Sequence, residues 1–171
     1  VGLDTIDTAA LAKHDVTLGW EGGVNKRAVA EVVIAQSINM LRGIHTSNTE
    51  VRSGGWRPVQ GRELSSLCLG VLGCGHIGKE VIRLLQPFGT RVLAHDIRSF
   101  PTFYDQHRVT AVSLDGLLQQ SDIVSIHLPL DDTTRGMMDE HRLQQMRLGA
   151  FLINTARGGI VDEVALATCL E

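Results

Sequence analysis

Short apolar runs alternate with helical patterns through the C-terminal two-thirds of the chain. Each run has the length and composition of a strand that is buried on both faces. Strand–helix–strand units cross over in the right-handed sense, which makes neighbouring strands parallel and places helices on both sides of the sheet. The sequence therefore predicts an α/β fold, a doubly wound parallel sheet. The predicted strands are residues 67–72, 91–95, 110–112, 123–128 and 150–154.

The segments between these runs have the apolar spacing of helices, and several begin at a capping residue. The predicted helices in this part are residues 77–86, 114–120, 139–146 and 162–170, and residues 100–108 are predicted as loop with some helix. Before residue 67 the pattern predicts a short helix over 7–14, a short strand over 16–18, a long helix over about 25–45 and a loop over 53–58.

Charge and cysteine content exclude several classes of function. The chain has 16 Lys and Arg against 19 Asp and Glu, which argues against nucleic acid as the main ligand. No apolar run reaches the roughly 18 residues that a membrane-spanning helix needs. The three cysteines are not spaced like the ligands of a metal site, and they cannot form a closed set of disulfides. We expect a reduced, cytoplasmic setting and no metal.

A glycine motif directly follows the first buried strand of the predicted sheet. Gly73, Gly75 and Gly78 have the spacing G-x-G-x-x-G and stand where the strand turns into a helix. In this context the first glycine permits the tight turn, the second lets a pyrophosphate approach the backbone, and the third lets helix and strand pack closely. The amides of His76 and Ile77, at the helix start, would point at the phosphates. The motif therefore predicts a dinucleotide site.

Asp96 ends the next predicted strand, and a carboxylate there accepts hydrogen bonds from the hydroxyls of the adenosine ribose. The same charge would repel the 2′-phosphate of NADP, so the sequence favours NAD. Arg98 lies two residues after Asp96, and its positive charge could accept the 2′-phosphate, so binding of NADP stays an alternative. Cys74, inside the glycine loop, is interpreted as a small filler, because the sequence near it offers no second thiol for redox chemistry.

The remaining candidate residues follow the fourth and fifth strands, whose carboxyl ends share one edge of the sheet. After the fourth strand we expect cofactor contacts from His127, Leu128, Pro129 and Thr134, with His127 a packed or cofactor-contacting residue rather than a general base. After the fifth strand, Thr155, Ala156 and Arg157 are candidates. The guanidinium of Arg157 is always charged and binds a carboxylate or carbonyl oxygen, but it cannot act as a base.

Five separate motifs give the chain a resemblance to a known family. They are VGLDTID at 1–7, GVNKRAVAE at 23–31, VLGCGHIG at 71–78, HLP at 127–129 and NTARGGIVDE at 154–163. In this order and spacing they resemble the D-isomer-specific 2-hydroxyacid dehydrogenases, and within that family they look closest to the phosphoglycerate dehydrogenases. The match spans nearly the whole chain.

The resemblance implies a Rossmann-type NAD-binding domain and hydride transfer between the nicotinamide and a 2-hydroxy or 2-oxo acid. In this family an arginine at the position of Arg157 binds substrate and polarises its carbonyl. It also implies that residues 1–24 are the trailing edge of a flavodoxin-like substrate domain, with Val1 and Gly2 near the substrate carboxylate. Residues 25–171 would be the NAD-binding domain, and the helix over 25–45 would help to form a homodimer.

The family's acid–base glutamate and histidine occur further along the chain than Glu171, so we expect a fragment of a two-domain protein that binds NAD without turnover. Three alternatives stay open at this stage. One is an NAD-binding scaffold similar to the C-terminal-binding-protein co-repressors. Another is a related enzyme that acts on formate or phosphite, and the third is a nucleotide-binding module without chemistry.

Overall fold

A five-stranded sheet organises the computed structural model, which describes residues 2–3 and 5–170. The strands are β1 (Cys68–Leu72), β2 (Arg91–His95), β3 (Thr110–Ala111), β4 (Ile123–Ile126) and β5 (Phe151–Asn154). All four neighbouring pairs are parallel, and the spatial order is β3-β2-β1-β4-β5. The predicted doubly wound parallel sheet is confirmed.

The strand order changes direction at β1. The chain builds outward from β1 through β2 to β3, then returns to the other side of β1 for β4 and continues to β5. A crevice opens at such a switch point, beyond the carboxyl ends of the two strands that flank it. The loops that follow β1, β4 and β5 therefore border one crevice, and these loops carry most of the candidate residues.

The described residues form eight α-helices. They are α1 (Thr8–Lys13), α2 (Lys26–Arg42), α3 (Ile44–Arg52), α4 (His76–Leu85), α5 (Pro101–His107), α6 (Leu114–Gln120), α7 (Glu140–Gln144) and α8 (Glu163–Leu170). Side-chain oxygens cap several of them, as predicted. Asp7 accepts from the Ala10 amide, Ser113 from the Gly116 amide and Asp162 from the Val164 amide.

The sheet separates two hydrophobic cores, one on each face. On one face α2 and α4 pack on the sheet and bury Val33, Val81 and Ile82 against Val71 and Ile153. On the other face α6, α7 and α8 pack over a second set of buried residues, which includes Leu72, Leu117, Val124, Ile126 and Leu143. Every residue of β1 and of β4 is buried, because helices cover both faces of these central strands.

A shared carboxylate fixes α2 against α4. Glu80 of α4 pairs with Arg27 of α2 at 3.2 Å and with Arg83 of its own helix at 3.1 Å. Arg27 also pairs with Glu31 at 2.7 Å. This network lies beside the close packing of α2 on α4, so it helps to set the position of the two helix N-termini that border the crevice.

The structure corrects the sequence prediction in four places. The helix predicted over 25–45 ends at Arg42, because Gly43 takes the left-handed conformation (φ 57°), and a second helix, α3, follows it. Residues 16–18 are exposed and pair with no described strand. Residues 101–107, predicted as mostly loop, form α5, with Pro101 in its first turn. The fourth strand ends at Ile126, two residues earlier than predicted.

No helix among residues 2–3 and 5–170 combines the length and the apolar character that crossing a bilayer requires. The same part of the chain holds no cluster of histidine, cysteine and acidic residues that would bind a metal ion.

Candidate functional site

A cleft of about 650 Å³ opens at the carboxyl edge of β1, β4 and β5, under the N-termini of α2 and α4. Eight of the predicted site residues line this cleft. They are His76, Ile77, His127, Leu128, Pro129, Thr155, Ala156 and Arg157. Gly2 also borders the cleft, as expected, whereas Val1 lies outside the described residues.

Two of the three motif glycines are required by the fold itself. Gly73 has a φ of 95°, and a Cβ there would lie 2.8 Å from the carbonyl oxygen of His127. A Cβ at Gly78 would overlap the carbonyl oxygen of Gly73, because the first turn of α4 packs directly on the loop. A side chain at Gly78 would push α4 away from the loop, and one at Gly73 would push against the segment that follows β4.

At position 75, by contrast, the packing of the chain does not require a glycine. Its φ of −73° suits any residue, and a Cβ there would meet no atom within 4 Å. Gly75 is also the residue from which α4 begins, and no side chain of the described residues caps that start. The start of α4 therefore keeps uncapped amides together with the positive end of the helix dipole, and helix starts of this kind bind anions.

Asp96 lies directly after β2, on the other side of the glycine loop. Its Oδ2 accepts a hydrogen bond of 2.6 Å from the Cys74 amide, and its Oδ1 accepts one of 2.7 Å from the Arg98 amide. Each carboxylate oxygen can accept a further bond. Asp96, Arg98 and Tyr104 border a second cavity of about 160 Å³ at this end of the sheet.

Cys74 is fully buried. Burial raises the pKa of the Cys74 thiol and also that of the Tyr104 hydroxyl. A buried thiol with a raised pKa forms little thiolate and reacts slowly. This agrees with the interpretation of Cys74 as a filler of the loop rather than a redox group.

His127 follows β4 and turns its ring into the protein beneath the cleft. Its Nε2 lies 2.9 Å from the hydroxyl of Ser125, which is fully buried. Burial lowers the pKa of His127 to about 4, because the interior disfavours the charged imidazolium. The ring is therefore neutral at pH 7, and it does not supply a proton there.

Arg157 lies three residues beyond β5, in a turn that Asn154 holds at both ends. The Asn154 amide group donates to the Arg157 carbonyl at 2.8 Å, and its Oδ1 accepts from the Ala156 amide at 3.1 Å. The Arg157 Nη1 donates to the Ala156 carbonyl at 2.7 Å. Asn154 thus fixes the backbone of the turn that carries Arg157, which is the one permanently charged side chain among the described residues that line the cleft.

Thr134 does not join the residues that line the cleft. Its hydroxyl donates to the Pro129 carbonyl at 2.7 Å and accepts from the Asp131 amide at 2.9 Å, and the residue is buried. These bonds close the loop that follows β4, so the side chain shapes the loop that carries Leu128 and Pro129.

A group of lining residues between positions 20 and 29 was not predicted from the sequence. Trp20, Gly22, Gly23, Asn25 and Val29 all line it. Gly23 has a φ of 80°, and a Cβ there would lie 2.7 Å from the ring of His76. The Gly22-Gly23 pair directly before a long helix was the available signal, since adjacent glycines often mark a close backbone approach.

The lowered pKa of His127 predicts how its ring titrates. Between pH 6.5, the ordinary value, and about pH 4, the unfolded chain binds a proton here that the folded chain excludes. The contribution of His127 to the free energy of unfolding is therefore fully present above pH 6.5, and it falls as the pH drops from 6.5 towards 4. We expect the ring NMR signal, identified by its loss in His127→Phe, to be that of neutral imidazole at pH 5.5. A midpoint near 6.5 would contradict the burial described here.

Comparison with known proteins matches a family model over residues 34–171, the NAD-binding domain of the D-isomer-specific 2-hydroxyacid dehydrogenases. The chain is 39% identical over 176 residues to an (S)-sulfolactate dehydrogenase of Chromohalobacter salexigens. The match covers all of this chain and 56% of that protein. It is 33% identical over 172 residues to the D-3-phosphoglycerate dehydrogenase of Mycobacterium bovis, covering 99% of this chain and 33% of that protein.

Solved structures agree with the sequence relatives. The D-lactate dehydrogenase of Aquifex aeolicus, complexed with NAD and lactic acid, superposes with a TM-score of 0.89 at 31% identity, over 99% of this chain and 51% of that one. The chain spans about half the length of the first curated relatives it matches. The glycine loop, the acid after β2 and the family match over most of the chain lead to one conclusion: the chain belongs to the D-isomer-specific 2-hydroxyacid dehydrogenase family and comprises its NAD-binding domain.

Proposed function

We propose that this chain binds NAD and forms the cofactor half of an enzyme that interconverts a D-2-hydroxy acid and its 2-oxo acid. The observation that carries the proposal is Gly75. The fold does not need a glycine there, yet a side chain would occupy the space in front of the uncapped start of α4. A ligand with phosphate groups explains both features, because such a ligand needs that space and those amides.

In the proposed complex the pyrophosphate lies on the amides of Gly75, His76 and Ile77. The Asp96 carboxylate receives the hydroxyls of the adenosine ribose. The nicotinamide half extends along the cleft past β4 and β5, where the lining residues are Leu128, Pro129, Thr155 and Ala156. The strand order supports this direction, since Asp96 and Thr155 lie on opposite sides of β1.

Arg157 is the proposed catalytic residue of this half. NAD supplies the hydride acceptor or, when reduced, the donor. The Arg157 guanidinium, carried by the turn that Asn154 fixes, would bind the substrate carboxylate and withdraw electron density from the reacting carbonyl. It keeps its proton throughout, so it stabilises charge and transfers no proton. A proton donor would have to come from elsewhere, because the ring of His127 is neutral at pH 7.

The proposed domain boundary lies near residue 24. None of the described residues in 2–24 is buried, and α1 contributes nothing to either core. Burial begins with Ala30 of α2. This supports residues 1–24 as an edge of a substrate domain and 25–171 as the NAD-binding domain.

We also propose a reducing, cytoplasmic setting, which the three free cysteines support.

We propose that two copies associate through α2, α3 and the segment after them. Exposed apolar side chains concentrate there, among them Val32, Ile44, Val51 and Trp56, the last of which is 85% exposed. Sedimentation velocity should show a dimer that Val51→Asp dissociates, since a carboxylate in an apolar interface is costly. The control Val164→Asp makes the same change on the exposed side of α8 and should leave the dimer intact. A wild-type monomer at all concentrations would refute the proposal.

The paired substitutions Gly75→Ala and Gly78→Ala test the phosphate site. Gly75→Ala should leave the free energy of unfolding unchanged and raise the Kd for NAD about tenfold, equivalent to about 1.4 kcal/mol. Gly78→Ala should lower the free energy of unfolding by about 1–3 kcal/mol, because its Cβ overlaps the loop. Urea denaturation and isothermal titration calorimetry measure the two effects. Unchanged NAD affinity in Gly75→Ala would contradict the proposed position of the pyrophosphate.

Asp96→Asn tests the choice of cofactor. Loss of the charged acceptor should weaken NAD binding by about tenfold or more. The ratio of the NADP and NAD dissociation constants should fall, because the repulsion of the 2′-phosphate disappears and Arg98 stays next to the site. Asp115→Asn, an exposed acid on α6, is the control and should change neither constant. If the ratio is the same in Asp96→Asn, Asp96 does not discriminate between the cofactors.

A further inference from the structure

A close contact joins two distant parts of the chain at the cleft. The segment of residues 20–23 meets His76, the first residue of α4, and Trp20, Gly22, Gly23 and His76 all line the cleft. A Cβ at Gly23 would lie 2.7 Å from the Cβ, Cγ and Nδ1 atoms of His76. The backbone of the segment therefore lies directly on the histidine side chain.

Gly22 shows that a second ring takes part in this contact. Its φ is not in the left-handed region, so the backbone conformation alone does not require a glycine there. A Cβ at this position would nevertheless lie 3.2 Å from the Cη2 of Trp20 and 3.3 Å from the Cε1 of His76. Both distances are shorter than the roughly 3.5–4.0 Å at which carbon atoms pack. The two aromatic rings therefore leave room for a glycine and for nothing larger.

Burial in a core does not explain this arrangement. None of the described residues in 2–24 is buried, His76 is exposed, and the Trp20 side chain keeps 50% of its surface open. Ligand sites bury most of a ligand's surface, and they do so largely against apolar and aromatic side chains. A tryptophan that is held half-exposed at a cleft has the surface to cover a ligand there.

We propose that the His76 ring is a positioning group, which holds residues 20–23 at the cleft so that the Trp20 indole covers the cofactor beside the start of α4. This inference rests on the proposed function, because the covered ligand is the NAD that the first turn of α4 binds. His76 then contributes twice, through its backbone amide to the pyrophosphate and through its ring to residues 20–23. The ring acts on the cofactor only through Trp20, so it is not a catalytic group.

The fluorescence of Trp20 measures this cover directly, because the chain has two tryptophans and Trp56→Phe leaves only Trp20. In this background we expect NAD to lower the acrylamide quenching constant of Trp20 about twofold, since the cofactor covers exposed surface of the indole. His76→Ala should abolish this protection and raise the Kd for NAD about three- to tenfold, as measured by isothermal titration calorimetry on the whole chain. His76→Phe keeps an aromatic ring and should restore both.

His76→Phe also separates ring packing from direct phosphate binding by the imidazole. If the side chain acted as a charge or as a hydrogen-bond donor to the pyrophosphate, His76→Phe would weaken NAD binding as much as His76→Ala. That result would overturn the inference. The control is His141→Ala, at an exposed histidine of α7 that does not line the cleft, and it should change neither measurement.

Gly22→Ala and Gly19→Ala are a matched pair in the same part of the chain. The methyl group at position 22 meets both rings, so Gly22→Ala should raise the Kd for NAD and remove the protection of Trp20, as His76→Ala does. A Cβ at Gly19 meets no atom within 4 Å, so Gly19→Ala should have no effect. In the double variant Gly22→Ala/His76→Ala the two losses should not add, because both changes act on one contact.

A thermal melt without NAD tests for a merely structural role of the ring. His76→Ala places a strong helix former in α4 and removes no buried side chain, so its Tm should not fall. A large fall in Tm would mark a structural role and count against the inference.

Protection of Trp20 by NAD that persists in His76→Ala would overturn the inference, as would fully additive losses in the double variant. Absence of NAD binding by the wild type would instead overturn the proposed function itself.

Discussion

The close approach of α4 to the loop after β1 is the constraint on which the site depends. Gly78 packs against the carbonyl of Gly73, and Gly73 in turn packs against the carbonyl of His127. Three backbone segments, from the ends of β1, β4 and the start of α4, thus meet without intervening side chains. This contact aims the first turn of α4 at the crevice, and it leaves the space before Gly75 open. The same packing brings the end of β4, with His127, to the edge of the cleft.

Charge along the crevice follows a simple order. The negative Asp96 lies at the β2 end, the positive start of α4 lies in the middle, and the positive Arg157 lies at the β5 end. A dinucleotide has the complementary order, with neutral hydroxyls, a negative pyrophosphate and a nicotinamide beside a negatively charged acid substrate. Burial keeps the His127 ring neutral, so it adds no charge to the β5 end.

Much of the fold was predictable from the sequence because its signals are local. The strands β1 and β2, the capped helices α6 and α8 and the glycine loop all carry periodicity, caps or turn residues in a few consecutive positions. The errors have tertiary causes. Residues 16–18 have strand composition but no neighbour to pair with, and Gly43 breaks a helix whose apolar spacing continues past it.

In the site, too, local sequence signals were readable, whereas contacts that depend on tertiary structure were missed. The positions of Gly75, Asp96 and Arg157 at the carboxyl edge of the sheet were predictable, because motif and strand end coincide there. Thr134 was expected at the cofactor, but its hydroxyl closes the loop on Pro129, a contact that sequence spacing does not reveal. Trp20 and Val29 line the cleft because a distant segment folds over it, and the shared position of His127 and Thr155 depends on the register of two strands.

A crystal structure of the chain with NAD tests the account most directly. We expect the pyrophosphate oxygens within hydrogen-bond distance of the Gly75, His76 and Ile77 amides, with the adenosine ribose on the Asp96 carboxylate. A cofactor bound elsewhere on the molecule, with the start of α4 filled by a side chain and Asp96 turned away from the sugar, would contradict it.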